Sequence, residues 1–338
     1  MPGVFGLKMS SSKPFLVFCW NVRGLGDPKK CTIVRDAIRS ARPTIACLQE
    51  TKLSACNFFK AATFLPPNLA SSFVSYDAVG SRGGMLTAWD PSLVTLQNHS
   101  SPNDYCLSTC FSSTASEHSF FVTNVYAPSD HRESHLFLSC LSNLVPSFTG
   151  PSLLVGDFNL VRSELDKNTN LSNRALSSAF SDKINEVALL ELPLFGSNFT
   201  WTNKRAEPTL ARLDRAFFNV KFNNLFPCSS LHSLPRPTSD HTPLLVTLST
   251  DIPKPHNFRF ENAWLLNNEF LPSVLPAWFA APANADAAGN IAGRLKAVRA
   301  EAKVWSRHNR APPAIIPNCK FLIQLIDLFE ENRHLSLE

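Results

Sequence analysis

The chain has 338 residues, of which 44% are hydrophobic, a composition typical of a globular protein rather than a disordered one. Its net charge is +5 and its pI is near 8.7, a mild excess that is compatible with a polyanionic partner but does not indicate one. No apolar run reaches the roughly 18 residues needed to cross a bilayer, so we expect no membrane partner. Nine cysteines, an odd number without CxxC pairs, argue against a disulfide framework or a zinc module and predict a reducing, intracellular compartment.

Residues 1–14 read as a leader, and a single domain is predicted over residues 15–250. There, short apolar runs alternate with amphipathic segments and turn clusters. The predicted strands are 15–20, 44–49, 85–89, 120–126, 152–157, 199–202, 211–218 and 243–248, and the predicted helices are 29–41, 132–145 and 175–190. Several strands are continuously apolar, as expected of strands covered on both faces. The pattern predicts an α/β fold in which sheets pack together with helices outside.

Residues 251–338 differ in composition from the preceding domain and are predicted to be a linker and a helical segment. Two prolines in 251–255 end the domain, and residues 271–290 have a linker composition rich in proline, alanine and asparagine. Two helices are predicted beyond, at 291–307 and 319–334. The second is apolar on one side, so it either docks on a partner or covers the edge of a core.

The first candidate site follows the apolar strand at 152–156, in Asp157-Phe158-Asn159. Side chains two residues apart on an extended chain lie on the same side, so Asp157 and Asn159 can converge on one water molecule or phosphate oxygen. The alternative is an Asx turn that only closes the strand.

Two further polar residues stand at predicted strand ends. Asn21 precedes a turn with two glycines, where its amide either touches a metal-bound water or phosphate or caps the turn. Glu50 places a carboxylate at the rim of the sheet, and Mg²⁺ typically takes one or two protein carboxylates. The alternative for Glu50 is a surface ion pair with Lys52.

The last two candidates are a buried acid and a histidine. Asp214 lies in an apolar stretch and needs a partner, which His241 can provide; such a pair would fix the imidazole tautomer and favour its charged form. Asp240 and His241 are adjacent, so both can face one site only from a loop. Arg212 and Arg215 either contact backbone phosphates or are solvated.

Together these motifs resemble those of the endonuclease/exonuclease/phosphatase superfamily, which has the deoxyribonuclease I-like fold. The motifs are WNVRG (20–24), QETK (49–52), NVYAP (124–128), GDFN (156–159), RLDR (212–215) and SDH (239–241). Longer stretches of sequence, among them RGGMLTAWDP (82–91) and PRPTSDHTPL (235–244), resemble the apurinic-type endonuclease domain of plant LINE-type non-LTR retrotransposons. The resemblance covers about residues 15–250.

The resemblance implies a role for each matched residue. Asn21, Glu50 and Asp240 would lie around a Mg²⁺ ion, for which Mn²⁺ can substitute. Tyr126 would contact the scissile phosphate or assist the leaving group. Thr200 and Ser239 match positions that line the DNA groove.

The remaining matches carry the proton and charge chemistry of the family. Asp157 would orient or deprotonate the attacking water or protonate the leaving oxygen, and Asn159 would help to hold it. Asp214 would orient His241, which stabilises the pentavalent transition state.

The resemblance therefore implies a four-layer α/β sandwich of two facing mixed β-sheets flanked by helices. It implies a Mg²⁺-dependent endonuclease that nicks one strand of double-stranded DNA to leave 3′-hydroxyl and 5′-phosphate ends, acting in the nucleus. The sequence beyond residue 258 resembles the segment that joins this domain to reverse transcriptase, but no YxDD-type polymerase box occurs. The alternatives are an inactive or merely nucleic-acid-binding retroelement remnant and a small-molecule phosphoesterase.

Overall fold

The computed structural model describes residues 14–80, 82–115, 118–169, 173–248, 264–265, 267–281, 287–308 and 323. The chain divides into two compact units, Met1–Pro255 with Phe321–Glu338, and His256–Lys320. Apart from Pro14 and Ile323, the predicted leader and the predicted helix 319–334 lie outside the described residues, as does the predicted domain end near residue 250.

The first unit contains a seven-stranded mixed sheet. In order across the sheet its strands are β10 (Leu194–Phe195), β14 (Ser230–Ser233), β15 (Leu244–Leu248), β1 (Phe15–Asn21), β2 (Ile45–Gln49), β4 (Met85–Trp89) and β3 (Phe73–Tyr76). At its centre β1 runs parallel to β2 and antiparallel to β15. The ends of β1 and β2 and the start of β15 therefore lie at one edge of this sheet.

A second mixed sheet has six strands. In order they are β5 (Val94–Asn103), β6 (Cys106–Ser113), β7 (Ser119–Tyr126), β8 (Ser152–Asp157), β13 (Asp214–Phe218) and β9 (Leu190–Glu191). β7 is parallel to β8 with Tyr126 opposite Asp157, and β13 is antiparallel to β8 with Asp214 opposite Asp157. Two short strands, β11 (Trp201–Thr202) and β12 (Leu210–Ala211), pair with each other and form a separate two-stranded sheet.

Helices cover the outer faces of both sheets. The helices of the first unit are α1 (Pro28–Ala41), α2 (Phe58–Phe64), α3 (Pro67–Ala70), α4 (Ser134–Leu144), α5 (Arg174–Glu186) and α6 (Val220–Leu225), with 3₁₀ turns at Val145–Ser147 and Glu164–Asp166. One buried apolar cluster joins residues of both sheets, a second packs α1 to α3 on the first sheet, and a third packs α4 and α5 on the second. The predicted four-layer α/β sandwich is confirmed.

The predicted strands are found with small shifts of their ends, and two predicted strands are shorter or divided. The segment 199–202 pairs only at Trp201–Thr202, and 211–218 is interrupted between β12 and β13. The sequence did not predict β3, β5, β6, β9, β10 or β14. Most of β5 is exposed, because it is an edge strand, and it therefore lacks the apolar pattern by which strands are recognised.

The described part of the second unit contains two helices that pack together, α7 (Phe270–Ala280) and α8 (Ala287–His308). Its core comprises Phe270, Val274, Ala302 and Trp305. The described residues of the predicted linker at 271–290 are mainly helical, because α7 runs through Pro276 and its apolar side chains pack on α8. Among the described residues, no helix combines the length and apolar character needed to cross a membrane.

Candidate active site

The predicted catalytic and metal-binding residues lie at the seam between the two sheets. The first sheet contributes Asn21 at the end of β1, Glu50 directly after β2, and His241 before β15. The second contributes Tyr126, Asp157 and Asp214 at the ends of β7, β8 and β13. Contacts between the two groups, described below, show that residues far apart in sequence share one pocket.

Gly156 allows β8 to approach β7 closely just before Asp157. A Cβ atom at Gly156, where φ is +154°, would lie 1.9 Å from the carbonyl oxygen of Val125. Only glycine leaves room for this approach. The glycine of the GDFN motif thus fixes the position of the carboxylate that follows it.

Asp157 is held by amide groups on both sides. Its side chain is 1% exposed and accepts hydrogen bonds from Asn21 Nδ2 at 2.9 Å and from the backbone nitrogen of Asn159 at 2.9 Å. Asn159 Nδ2 also donates to Asp157 at 3.2 Å. Burial raises the pKa of Asp157 to about 6, although the nearby charge of His241 lowers it.

The convergence of Asp157 and Asn159 arises differently from the prediction. β8 ends at Asp157, and Asn159 has φ +50°, so the two side chains meet through a left-handed turn rather than through strand alternation. The Asx turn and the shared pocket, which were predicted as alternatives, occur together.

His241 forms the predicted pair with Asp214. Its Nδ1 lies 2.9 Å from Asp214 Oδ2, and both side chains are at most 4% exposed. Asp214 is fixed in turn by Thr200, whose Oγ1 accepts hydrogen bonds from the backbone nitrogens of Leu213 and Asp214 at 3.0 Å.

The other imidazole nitrogen of His241 faces Asp157. His241 Nε2 lies 3.7 Å from Asp157 Oδ2. Burial alone would lower the pKa of His241, but the charges of Asp214 and Asp157 and the hydrogen bond to Asp214 outweigh it and raise this pKa. The site therefore favours the charged form of the imidazole beside a carboxyl group whose pKa is about 6, a pair suited to proton transfer and to stabilising negative charge.

Glu50 and Tyr126 form the more open side of the pocket. The Glu50 side chain is 14% exposed and pairs with Lys52 Nζ at 3.1 Å. Its backbone is left-handed, with φ +51°, which turns the chain sharply at the end of β2. Burial, the charges of Glu50 and Asp157 and a hydrogen bond to Glu50 raise the pKa of Tyr126 well above its usual range, so this phenol stays protonated.

Asp240 lies beside His241 in a loop, as predicted. Its carboxylate pairs with the Arg23 guanidinium and accepts a hydrogen bond from Trp201 Nε1 at 3.0 Å. Arg23 was not predicted as a site residue, although it stands within the WNVRG motif. Trp20 of the same motif donates from Nε1 to the carbonyl oxygen of His241 at 2.9 Å and so holds this loop on β1.

The structure corrects the predictions for Thr200 and Ser239. Both were matched to a DNA groove, yet Thr200 is 0% and Ser239 is 3% exposed. Ser239 Oγ donates to the Asn21 carbonyl at 2.8 Å and accepts from the backbone nitrogen of His241 at 3.1 Å. These hydroxyls hold the loops that carry Asp214 and His241 instead of facing a groove.

The prediction for Arg215 was also wrong in both its alternatives. Arg215 is 1% exposed and pairs with Asp166 at 2.5 Å and Glu191 at 2.6 Å, so it is neither solvated nor free to reach a phosphate. Arg212 pairs with Glu191 at 3.0 Å and is 20% exposed. β13 alternates its faces, so Asp214 points into the pocket while Arg215 points the other way.

One group among the described residues has the geometry to hold a metal ion. Asp157, Asp214 and His241 offer atoms within 4.8 Å of one another. However, the His241–Asp214 hydrogen bond and the deep burial of all three favour proton chemistry there. Glu50, by contrast, is a more exposed oxygen donor of the kind that Mg²⁺ prefers.

A family model described as the Endonuclease/Exonuclease/phosphatase family matches residues 18–241, more than half of the chain. The chain belongs to this family, which confirms the resemblance to the endonuclease/exonuclease/phosphatase superfamily and the expectation of a hydrolytic enzyme of the nuclease and phosphodiesterase type. A comparison with curated protein sequences gives no significant match.

Solved structures with a similar fold include three nucleases. The AP endonuclease LMAP from Leishmania major is 16% identical, with a TM-score of 0.56 over 70% of this chain and 88% of that chain. The endonuclease domain of TRAS1, a telomere-specific non-LTR retrotransposon, is 11% identical, with a TM-score of 0.53 over 70% and 99%. An AP endonuclease from Archaeoglobus fulgidus is 16% identical, with a TM-score of 0.54 over 70% and 100%. These likenesses show a shared fold.

Proposed function

We propose that the protein is a Mg²⁺-dependent DNA endonuclease of LINE-type retrotransposon origin. It nicks one strand of double-stranded DNA and leaves a 3′-hydroxyl and a 5′-phosphate. The observation that carries the proposal is the joint placement of Asp157, Asp214 and His241 in one buried cluster, with Asn21 bonded to Asp157. The LINE origin rests on the motifs of the sequence and is supported by the likeness in fold to the TRAS1 endonuclease domain.

Each side of the pocket has a distinct task in this proposal. Asp157, with its pKa near 6, takes a proton from the attacking water, which Asn159 helps to hold. The His241 imidazolium, oriented by Asp214, stabilises the charge that builds on the phosphoryl oxygens. Tyr126, protonated and hydrogen-bonded to Glu50, supplies a hydroxyl to the scissile phosphate or the leaving group.

The residues at the open side fit a hard divalent cation. Glu50 and Asp240 are carboxylates whose present partners are the cations Lys52 and Arg23, so a metal ion can replace existing positive charge there. Together with Asn21, they would hold Mg²⁺, or Mn²⁺ in its place. When bound, the ion polarises the phosphodiester and supports the departing oxygen.

The decisive experiment is nicking of supercoiled plasmid by the purified protein. We expect Mg²⁺-dependent conversion to open circles, abolished by EDTA and restored by excess Mg²⁺ or Mn²⁺. The nicks should prime a DNA polymerase directly, because the product carries a 3′-hydroxyl. Binding should weaken steeply with salt, because phosphate contacts dominate the affinity of such enzymes for DNA.

Two other outcomes would support other functions. Metal-dependent hydrolysis of small phosphoesters without plasmid nicking would indicate a small-molecule phosphoesterase. DNA binding without cleavage in any divalent metal would indicate a nucleic-acid-binding retroelement remnant. The juxtaposition of His241 with Asp157 and Asp214 favours the nuclease over a remnant, because a chain free of functional constraint has no need to bury three ionisable groups together.

A further inference from the structure

Directly beneath the pocket, polar side chains fill part of the gap between the two sheets. Gln49 ends β2, one residue before Glu50, and Asn124 lies in β7, two residues before Tyr126. Both side chains are 0% exposed, although amides are mostly found at protein surfaces. We call Gln49 and Asn124 the amide pair.

The amide pair connects the two sheets through directional bonds. Gln49 Nε2 donates to Asn124 Oδ1 at 2.6 Å. Asn124 Nδ2 donates to the carbonyl oxygens of Leu48 at 3.2 Å and Leu86 at 3.1 Å. One asparagine of β7 is therefore bonded to both β2 and β4 of the opposite sheet.

These bonds restrict the separation of the sheets more sharply than the apolar contacts do. Apolar burial is non-directional and tolerates small shifts. Hydrogen bonds weaken quickly outside about 2.7–3.2 Å, and an amide left buried without partners costs roughly 1–3 kcal/mol. The amide pair is satisfied only when β7 faces β2 and β4 at one distance and in one register.

The pocket needs this restriction because its members come from both sheets. Asn21, Glu50 and His241 belong to the first sheet, whereas Asp157 and Asp214 belong to the second. The bonds Asn21–Asp157 and His241–Asp214 cross the same gap within the pocket itself. A shift of one sheet by about 1 Å would misalign every such contact, and misplacements of that size can cost on the order of 10²-fold in rate.

We propose that Gln49 and Asn124 are positioning residues, which set the spacing between the two catalytic half-sites by bonding β7 to β2 and β4. Neither side chain reaches the substrate, so both act through Glu50, Tyr126 and their neighbours. The inference rests on the proposed nuclease function.

A double-mutant cycle tests the pair. Asn124→Leu removes all three of these inter-sheet bonds, whereas Gln49→Leu removes only the bond between the two amides. We expect kcat per folded molecule to fall roughly 10–100-fold in each, with KM changed less than about threefold, since the fault lies in the alignment of catalytic groups. The double variant should be little worse than the poorer single variant, because the two residues act as one unit.

Thr109→Val is the matched control. Thr109 is equally buried and its Oγ1 donates to the Val122 carbonyl at 2.8 Å, but that bond lies within the second sheet. The control should lower the melting temperature while leaving kcat unchanged. If Asn124→Leu does not fold, Gln49→Leu carries the test, since Asn124 retains its two backbone bonds there.

A second readout does not depend on activity. In crystal structures of the wild type and the leucine variants, the distance from Asn21 Nδ2 to Asp157 Oδ2 should lengthen only when the amide pair is broken. An unchanged distance together with wild-type kcat, or strictly additive losses in the double variant, would overturn the inference. A wild-type protein that fails to nick DNA would instead overturn the proposed function, while the structural comparison would still decide the role of the amide pair.

Discussion

The two sides of the pocket differ in how their charges are balanced. On the inner side, Asp157, Asp214 and His241 are at most 4% exposed and satisfy one another within the fold. On the outer side, Glu50 and Asp240 have side chains 14% and 10% exposed, and their partners Lys52 and Arg23 are 36% and 51% exposed.

This difference separates what folding fixes from what binding can change. Breaking a contact on the inner side leaves a buried charge without a partner, which is strongly unfavourable. Exposed ion pairs contribute little to stability, so the outer carboxylates can exchange Lys52 or Arg23 for a divalent cation at small cost. In the proposed nuclease, the inner side is therefore prearranged for proton chemistry, and the outer side is the part that would accept the metal ion.

The largest effect is expected at the centre of the inner side. Asp157→Asn keeps the shape of the side chain but removes the base, so nicking should fall roughly 10²–10⁴-fold. Raising the Mg²⁺ concentration should not restore it. Plasmid nicking measures the loss, and circular dichroism of the same sample checks that the fold is intact; retention of wild-type activity would contradict the assignment of Asp157.

A smaller and recoverable effect is expected on the outer side. Glu50→Gln removes one charged contact to the cation, worth about 1.5–3 kcal/mol, so nicking at limiting Mg²⁺ should fall roughly 10–100-fold. High Mg²⁺ should recover much of it. A Mg²⁺ titration of the nicking rate distinguishes this from Asp157→Asn, and equal recovery in both variants would abolish the distinction between the two sides.

The pH dependence should separate activity from stability. Activity should rise up to about tenfold per pH unit below pH 6, because Asp157, with its pKa of about 6, must lose its proton to act as a base. Stability should change in the opposite direction. Because the pKa of Asp157 is raised to about 6, the folded state keeps a proton that the unfolded state releases above about pH 4. This group's contribution to the free energy of unfolding is therefore lost as the pH rises from about 4 through 6.

His241 adds to this loss of stability at higher pH. Its raised pKa contributes stability below its ordinary value of 6.5, and this is lost as pH rises through the folded-state value. Calorimetry of the metal-free protein should therefore give a higher melting temperature at pH 5.5 than at pH 8.5. Replacing His241 by glutamine should flatten the profile, and an unchanged profile would argue against a charged imidazole in the fold.

The smallest effect is expected at Lys52. Its side chain is 36% exposed, so Lys52→Ala should change the free energy of unfolding by less than about 1 kcal/mol. Because Lys52 competes for Glu50, its removal should lower the Mg²⁺ concentration needed for half-maximal nicking by a few-fold. Chemical denaturation and a Mg²⁺ titration measure the two quantities, and a higher Mg²⁺ requirement would show that Lys52 assists the ligand instead.

The sequence allowed the layers of the fold and the inner side of the site to be predicted, because strand ends and motifs are local features. Asp214 and His241 were paired from burial and chemistry alone, and the structure places them 2.9 Å apart. Thr200 and Ser239 were misassigned because a buried hydroxyl and a groove-lining one are identical in sequence.

The errors concern partners that are distant along the chain. Alternation along β13 could have shown that Arg215 faces away from Asp214, but not that Glu191 and Asp166 meet it there. The same holds for Gln49 and Asn124, whose bond depends on how far one sheet is offset against the other. Such offsets result from the packing of whole layers and leave no local pattern.

Gly156 has a consequence for how the protein would look in a mutational survey. It has no functional group, yet any side chain there would collide with the Val125 backbone and displace both Tyr126 and Asp157. A saturation scan scored by DNA nicking would therefore rank position 156 with the acids and the imidazole. Intolerance to substitution alone would misidentify this glycine as a participant in the reaction.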